Sequence, residues 1–374
     1  MTIEAPRIVI AGGGTGGHLF PGIAVAKELL SRHPKAQITF AGTARGIEAR
    51  VIPREGFELD VIRSGGLKGK SIADRARGAA LLPVSVADAW AVVSKRQPDL
   101  VIGVGGYSSG PVVLTAALRG VPTMLLEQNA VPGLTNRLLA RVVKAAAVTF
   151  DSTQAFFGSK AFLSGNPVRP EFLAAAGSQK ESADDDQTSG IRILVFGGSQ
   201  GAHAINLAMV EAAARLATGG LRLRLTHQTG ERDVDMVRAA YREAGLQAAV
   251  EPFLYDMGRQ LAEADLIVCR AGATTLAEIT AAGRAAVLIP LPTATDDHQR
   301  KNAEALANAG AADLLLQKDM TGAVLADRIL TLARDGGRRR RMASAAHRLA
   351  RPDAARVIVD KALAIADHSI GDRR

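Results

Sequence analysis

Two stretches of this 374-residue chain begin alike: Ile8–His18 reads IVIAGGGTGGH and Ile193–His203 reads ILVFGGSQGAH. Five of the eleven positions are identical, including paired glycines and the closing histidine. Each stretch runs from an apolar segment through a glycine turn into a helical pattern, as at the start of a doubly wound sheet. A chain that opens such a sheet twice is expected to fold as two similar lobes facing a cleft. The length agrees, at ~100–200 residues per domain.

Apolar runs without strict alternation recur between helical patterns, as parallel strands buried on both faces require. They are Arg7–Ala11, Gln37–Ala41, Leu100–Val104, Thr123–Glu127, Ala145–Phe150, Ile191–Phe196, Leu221–Gln228, Leu266–Arg270 and Ala286–Pro290. Helical patterns such as Ile23–Ser31, Ala202–Leu216, Thr274–Ala282 and Gln299–Ala309 lie between them. The fold class is therefore α/β with Rossmann-like, doubly wound parallel sheets. Residues 174–190 (AAAGSQKESADDDQTSG) are small, polar and aperiodic, and read as a loop or linker near a domain boundary.

Composition narrows the function. Hydrophobic residues are 47% of the chain, enough for real cores and too many for a disordered one. Lys+Arg exceed Asp+Glu by 46 to 37, a net charge of +9, which leaves nucleic acid or anionic membrane as partners. Aromatics are only 4% and do not cluster with basic residues, which argues against a nucleic-acid stacking platform. The single cysteine, Cys269, excludes an internal disulfide or Cys-rich zinc site and fits a reducing compartment. No signal peptide or membrane span is expected, so a cytoplasmic protein is.

A glycine turn between strand and helix lets the backbone approach a ligand and aims N–H groups at an anion. Gly12–Gly17 fits the dinucleotide pattern, yet the second strand ends Phe40-Ala41-Gly42-Thr43 without the acid that would hold a ribose. The nearest acid, Glu48, lies inside the next helix, which disfavours NAD(P) or FAD. Ser64–Lys70, Gly103–Pro111 and Gly197–Gly201 are further glycine loops, compatible with tight turns or with a ligand crevice. Arg270–Thr275 opens a helix after a strand and suits a diphosphate. Glu278 behind it reads either as a ribose ligand or as a dipole-favoured helix residue.

Taken together, GGGTGGH (Gly12–His18), GVGGYSSGP, LEQNAVPGLTNRLLA (Leu126–Ala140), GNPVRP (Gly165–Pro170), GGSQGA, CRAGATTLAE (Cys269–Glu278) and DDHQRKNA (Asp296–Ala303) resemble the MurG family. These are the peripheral-membrane UDP-GlcNAc transferases of bacterial peptidoglycan synthesis, within glycosyltransferase family 28. The resemblance implies a GT-B fold. An N-terminal acceptor lobe would span residues 1–166 and a C-terminal UDP-GlcNAc lobe 167–351, with the last helix, about 352–374, returning to the first. It implies transfer of GlcNAc to the 4-hydroxyl of MurNAc in undecaprenyl-diphosphate-MurNAc-pentapeptide (lipid I), giving lipid II with inversion.

The resemblance also distributes roles. Thr15, Gly16, Gly17, Asn129, Arg169, Ser199, Leu254, Ala273, Thr274, Thr275, Leu276, Ala277, Glu278 and Gln299 would contact UDP-GlcNAc. Among them Ser199 and the turn at Gly272–Thr275 face the diphosphate, Glu278 the ribose, and Leu254 the uracil through its backbone. Asn129 and Gln299 hold sugar hydroxyls. The family often has a glutamine where this chain has His298, which leaves position 298 without a role. His18 is the candidate base, because it closes a glycine loop at a helix start and an imidazole is a side chain able to act as a base near neutral pH. Its echo His203 keeps a structural role for His18 open. Glu127 and Tyr107, on neighbouring loops, are candidates for orienting the acceptor or assisting His18. No tightly bound cofactor and no protein metal site are indicated, although a divalent cation such as Mg2+ is compatible with the diphosphate. Asp296-Asp297-His298 has the residue types to ligate a cation, but is expected instead to be a helix N-cap cluster.

A lipid-linked acceptor calls for an anionic-membrane surface. Lys68, Lys70, Arg75 and Arg77, followed by Leu81, Leu82 and Trp90, form the candidate interfacial patch, with ordinary core packing as the alternative. Expected partners are UDP-GlcNAc, lipid I, the cytoplasmic face of the inner membrane and other cell-wall synthesis proteins, and not nucleic acid.

Overall fold

The computed structural model describes residues 4–65, 81–169, 172–173, 190–198 and 200–371. The chain divides into two compact units, Met1–Arg169 with Arg351–Arg374, and Pro170–Ala350.

In the first unit, seven strands, β1 (Arg7–Gly12), β2 (Gln37–Gly42), β3 (Glu58–Val61), β4 (Leu100–Gly105), β5 (Thr123–Glu127), β6 (Ala145–Val148) and β7 (Ala161–Leu163), make one sheet. Their order is 3-2-1-4-5-6-7 and every pair is parallel. The connecting helices are α1 (Gly16–Arg32), α2 (Glu48–Arg54), α3 (Leu82–Arg96), α4 (Ser109–Leu118), α5 (Leu134–Leu139) and α6 (Asp151–Phe157).

The second unit repeats the plan with β8 (Ile191–Phe196), β9 (Leu223–Gln228), β10 (Gln247–Glu251), β11 (Leu266–Cys269), β12 (Ala286–Leu288) and β13 (Asp313–Leu314). These strands are parallel in the order 10-9-8-11-12-13. The helices of this unit are α7 (His203–Ala217), α8 (Val234–Glu243), α9 (Met257–Glu263), α10 (Ala273–Ala282), α11 (His298–Asn308), α12 (Gly322–Arg334) and α13 (Gly336–Leu349). The last helix, α14 (Ala354–Gly371), belongs to the first unit.

Successive strand residues face opposite sides, so each sheet builds a core on both faces. In β1, Ile8 and Ile10 join Phe40, Ile102, Met124 and Leu126 under α1, while Val9 and Ala11 join Val101, Leu125 and Ala146 under α3 and α4. Helix α14 buries Ile358, Val359, Ala362 and Ala366 in the α1-side core, and Asp360 pairs with Arg32 at 2.6 Å. The chain leaves this unit beside the point where it returns. A Cβ on Gly165 (φ +78°) would overlap Arg351, so only glycine permits that approach.

The division falls after Arg169 rather than after Asn166, which keeps Arg169 with the first unit. The β1–β4 register shifts between Ala11 and Gly12, where the first glycine loop begins. Carboxyl ends of strands are where doubly wound sheets bind ligands.

Candidate active site

The first unit gathers His18, Thr15, Tyr107, Glu127, Asn129 and Arg169 on elements at the carboxyl end of its sheet. His18 lies in the first turn of α1, half-buried, with its ring against Gly105. A Cβ on Gly105 would stand 2.8 Å from His18 Cδ2 and 3.0 Å from Nε2, so glycine here makes room for the imidazole. His18 Nδ1 is 3.2 Å from Thr15 Oγ1. A base acting through Nε2 needs its proton on Nδ1, and the Thr15 oxygen is placed to accept it.

The loop ahead of His18 is less open to an anion than its sequence promises. Gly13 N–H donates to Gly105 O at 3.3 Å, and Gly14 N–H donates to Glu48 Oε2 at 2.8 Å. The Gly13 and Gly14 N–H groups are therefore already engaged within the unit. The sequence places Glu48 inside the helix after β2 and not at the strand end where an acid would hold a ribose. Its signal was the ring of small residues Gly13, Gly42 and Gly46, each of which leaves space that the Glu48 carboxylate fills.

Glu127 is corrected. Its carboxylate is buried and turned into its own loop, where Oε1 accepts from Asn129 N (3.0 Å) and Nδ2 (3.3 Å). Oε2 accepts from Gly133 N (2.9 Å) and Asn136 Nδ2 (2.8 Å). Burial pushes the carboxyl up despite these donors. A carboxylate with four internal donors orders the loop that carries Asn129. It does not reach out to an acceptor. Tyr107, by contrast, is exposed in the turn after β4. Arg169 stacks over the Phe20 ring at 5.0 Å, which brings it against α1.

In the second unit, α10 starts after an extended Gly272 (φ −67°, ψ 141°), with Ala273–Ala277 in its opening turns and Glu278 buried behind them. The preceding Arg270 guanidinium is turned onto its own unit: Nη1 donates to Ile289 O (3.1 Å) and Pro290 O (3.2 Å), and Nη2 to Gln317 Oε1 (2.8 Å). It ties the end of β11 to the end of β12. Gln299 does similar work, its Oε1 accepting from Ala271 N (3.3 Å) and Leu291 N (3.0 Å). Only the Nε2 side of that amide can then serve a sugar hydroxyl.

Gln228, for which the sequence carried no signal, joins the second glycine loop to the turn at Leu254. Its Nε2 donates to Gly198 O at 2.7 Å and its Oε1 accepts from Leu254 N at 3.2 Å. The Leu254 N–H is thereby engaged within the unit. His203 Nδ1 lies 2.9 Å from Asp233 Oδ2, and Asn206 links Asp233 to buried His227. Burial pushes the His227 imidazole down to about 3.

The N-cap expectation at 296–298 fails. Asp297 occupies the cap position of α11 with φ 55° and makes no side-chain cap, and Asp296 also has a left-handed φ of 55°. His298 Nδ1 turns back to Thr295 O.

Ser199, Lys68, Lys70, Arg75, Arg77 and residues 174–189 lie outside the described residues. Leu82, Val86 and Trp90 are exposed on one face of α3, with Leu81 half-buried before it. The Arg119 guanidinium sits 4.6 Å over the Trp90 ring. Leu114 and Leu118 on α4 add to the exposed apolar surface of this unit. Among the described residues, no helix is long and apolar enough to cross a membrane, and no three His, Cys, Asp or Glu cluster as metal ligands.

Comparison with known proteins agrees with this division. The glycosyltransferase family 28 N-terminal domain matches residues 8–148, and the family 28 C-terminal domain matches residues 192–358. A relative from Pelobacter propionicus is 48% identical, covering 96% of this chain and 99% of its own. A Geobacter sulfurreducens relative is 46% identical, covering 96% and 98%. Both carry the name UDP-N-acetylglucosamine–N-acetylmuramyl-(pentapeptide) pyrophosphoryl-undecaprenol N-acetylglucosamine transferase. The crystal structure of MurG from Acinetobacter baumannii superposes with a TM-score of 0.79 at 35% identity, covering 96% of this chain and 99% of that one. UDP-GlcNAc 2-epimerase from Neisseria meningitidis shares the fold alone, at 14% identity and a TM-score of 0.63. With both domain models matched in order on two Rossmann-like units, the chain belongs to glycosyltransferase family 28 and is a sugar-transferring enzyme.

Proposed function

We propose that this enzyme transfers GlcNAc from UDP-GlcNAc to the 4-hydroxyl of MurNAc in lipid I, giving lipid II with inversion at the anomeric carbon. The observation that carries the reading is its near full-length similarity to transferases named for this reaction. In the proposed step the acceptor oxygen forms a bond to C1 of GlcNAc while the bond from C1 to the UDP oxygen breaks. The hydroxyl proton passes to His18 Nε2, with Thr15 holding the tautomer. Negative charge left on UDP meets the N-terminus of α10, where helix N–H groups and the dipole favour an anion.

The second unit is the donor side. Glu278 takes ribose hydroxyls, the Leu254 carbonyl takes uracil N3–H, and Gln299 Nε2 takes sugar hydroxyls, joined by Asn129 from the first unit. The first unit is the acceptor side, with Tyr107 exposed to orient the sugar and Arg169 near α1 to meet phosphate charge. Burial of the Glu278 carboxyl favours its use as a ligand group over a solvent-facing one. The exposed stripe Leu82–Val86–Trp90, with Arg119 over the indole, supports docking on the anionic cytoplasmic face of the inner membrane.

The test is transfer of labelled GlcNAc to lipid I in vesicles, with product mass measured. The expected product is lipid II, formed faster on anionic than on neutral vesicles and more slowly at high salt. No product with UDP-GlcNAc overturns the reaction, and a rate indifferent to lipid charge and salt overturns the membrane surface.

A further inference from the structure

The first glycine loop already holds an anion, and it belongs to the chain. Glu48 opens α2 and is 0% exposed. Its Oε2 accepts Gly14 N–H at 2.8 Å, and its Oε1 accepts Thr43 N–H at 2.9 Å and the Thr43 hydroxyl at 2.7 Å. The Thr43 hydroxyl oxygen in turn accepts Gly46 N–H at 3.2 Å. Short bonds to an ionised acceptor are the strong kind. The carboxylate packs so closely that a Cβ on Gly13 would stand 2.5 Å from its Cδ, and one on Gly42 2.7 Å from its Cγ. In a dinucleotide-binding Rossmann unit, the N–H groups of this loop and the close approach of its glycines serve a pyrophosphate. Here a side chain from the β2–α2 connection occupies that place.

The consequence falls on His18. The loop Gly13–Thr15 runs directly into α1, and the His18 imidazole is located by Thr15 on one side and by Gly105 on the other. Gly13 is also bonded to Gly105 O. Glu48 therefore fastens one end of a short segment whose other end carries the imidazole. We propose that Glu48 is a positioning residue, the resident anion of the first glycine loop, whose carboxylate ties Gly14 to Thr43 and so fixes the loop that presents His18. This rests on the reading of His18 as the base. Glu48 itself touches neither substrate.

Chemical rescue tests it with the full chain. Glu48→Ala removes a carboxylate and a methylene, leaving a hole the shape of acetate. Expected is a fall in kcat of about tenfold or more, the scale of a mispositioned catalytic group, with KM for UDP-GlcNAc unchanged. Added acetate should restore much of kcat, and neutral acetamide of the same shape should not. Equal rescue by both, rescue by neither, or a loss confined to KM overturns the proposal. Where Glu48→Ala does not fold, Thr43→Val removes one donor to the carboxylate, and a kcat reduction of about threefold at unchanged KM is expected. An unchanged kcat in that variant overturns it. Failure of the underlying reading is separate, because it would appear as near-normal turnover in His18→Ala.

Discussion

The two glycine loops share an opening sequence and a place in the fold, yet they are secured by opposite means. In the first, a buried carboxylate crosses from the β2–α2 connection and takes the Gly14 N–H. In the second, a neutral amide, Gln228, crosses from β9 and donates to the Gly198 carbonyl. The first device places negative charge beside the loop and consumes a donor. The second adds no charge and consumes an acceptor. The same contrast runs through the two histidines that close the loops, since His18 faces a threonine hydroxyl and His203 faces the Asp233 carboxylate. A strand–glycine–helix motif thus fixes backbone shape, while the residue that crosses to it decides whether an anion is welcome.

Substituting the echoed histidines is the strongest way to break this comparison. His18→Ala should lower turnover by at least ~100-fold with little change in donor affinity, as for a lost acid–base group. His203→Ala should leave turnover within a few-fold, because its partner is a structural carboxylate. Similar losses in both variants, measured by steady-state transfer, would remove the distinction. Next in size, Glu278→Ala should weaken UDP binding ~10–100-fold by calorimetry, the range for hydrogen bonds to a charged acceptor. Unchanged affinity would take the ribose role away from the second unit.

Acid stability sharpens the comparison with a smaller effect. Buried His227 stays neutral in the native second unit, while the unfolded chain binds its proton below about pH 6.5. Stability of that unit should therefore fall as pH drops from about 6.5 towards 3, by up to ~1.4 kcal/mol per pH unit. For Glu48, burial alone would raise the carboxyl, but the Gly14 and Thr43 donors reverse this and hold it below the usual carboxylate range. Its contribution is present above about pH 4.3 and is lost only as pH falls through its lower native value. Hydrogen exchange resolved by unit should show the second unit weakening first between pH 6.5 and 5. The reverse order would contradict it.

Interior strands were legible in the sequence, and edge strands were not. All nine apolar runs became strands, but β3, β7, β10 and β13 were missed, and these are the outer strands of the two sheets. Only Val250 among them is buried, so the continuous apolar signal of a doubly covered strand is absent. Residues of the candidate site were legible as types. Their directions were not: the Glu127 and Arg270 side chains turn inward to satisfy their own loops, and nothing in the spacing of LLEQNA or CRAGA distinguishes a ligand-facing side chain from one that clamps a carbonyl.

By itself the sequence determined two Rossmann-like units, their glycine turns, and the chemistry each loop is able to offer. Periodicity, glycine placement and charge are local properties carried by neighbouring residues. Only the tertiary structure decided which backbone donors and acceptors remain for a ligand, because Glu48 takes the Gly14 N–H while Gln228 and Arg270 take the Gly198 and Ile289 carbonyls, across strand and loop separations that local pattern does not encode. Buried polar groups must find partners somewhere, and folding chooses them.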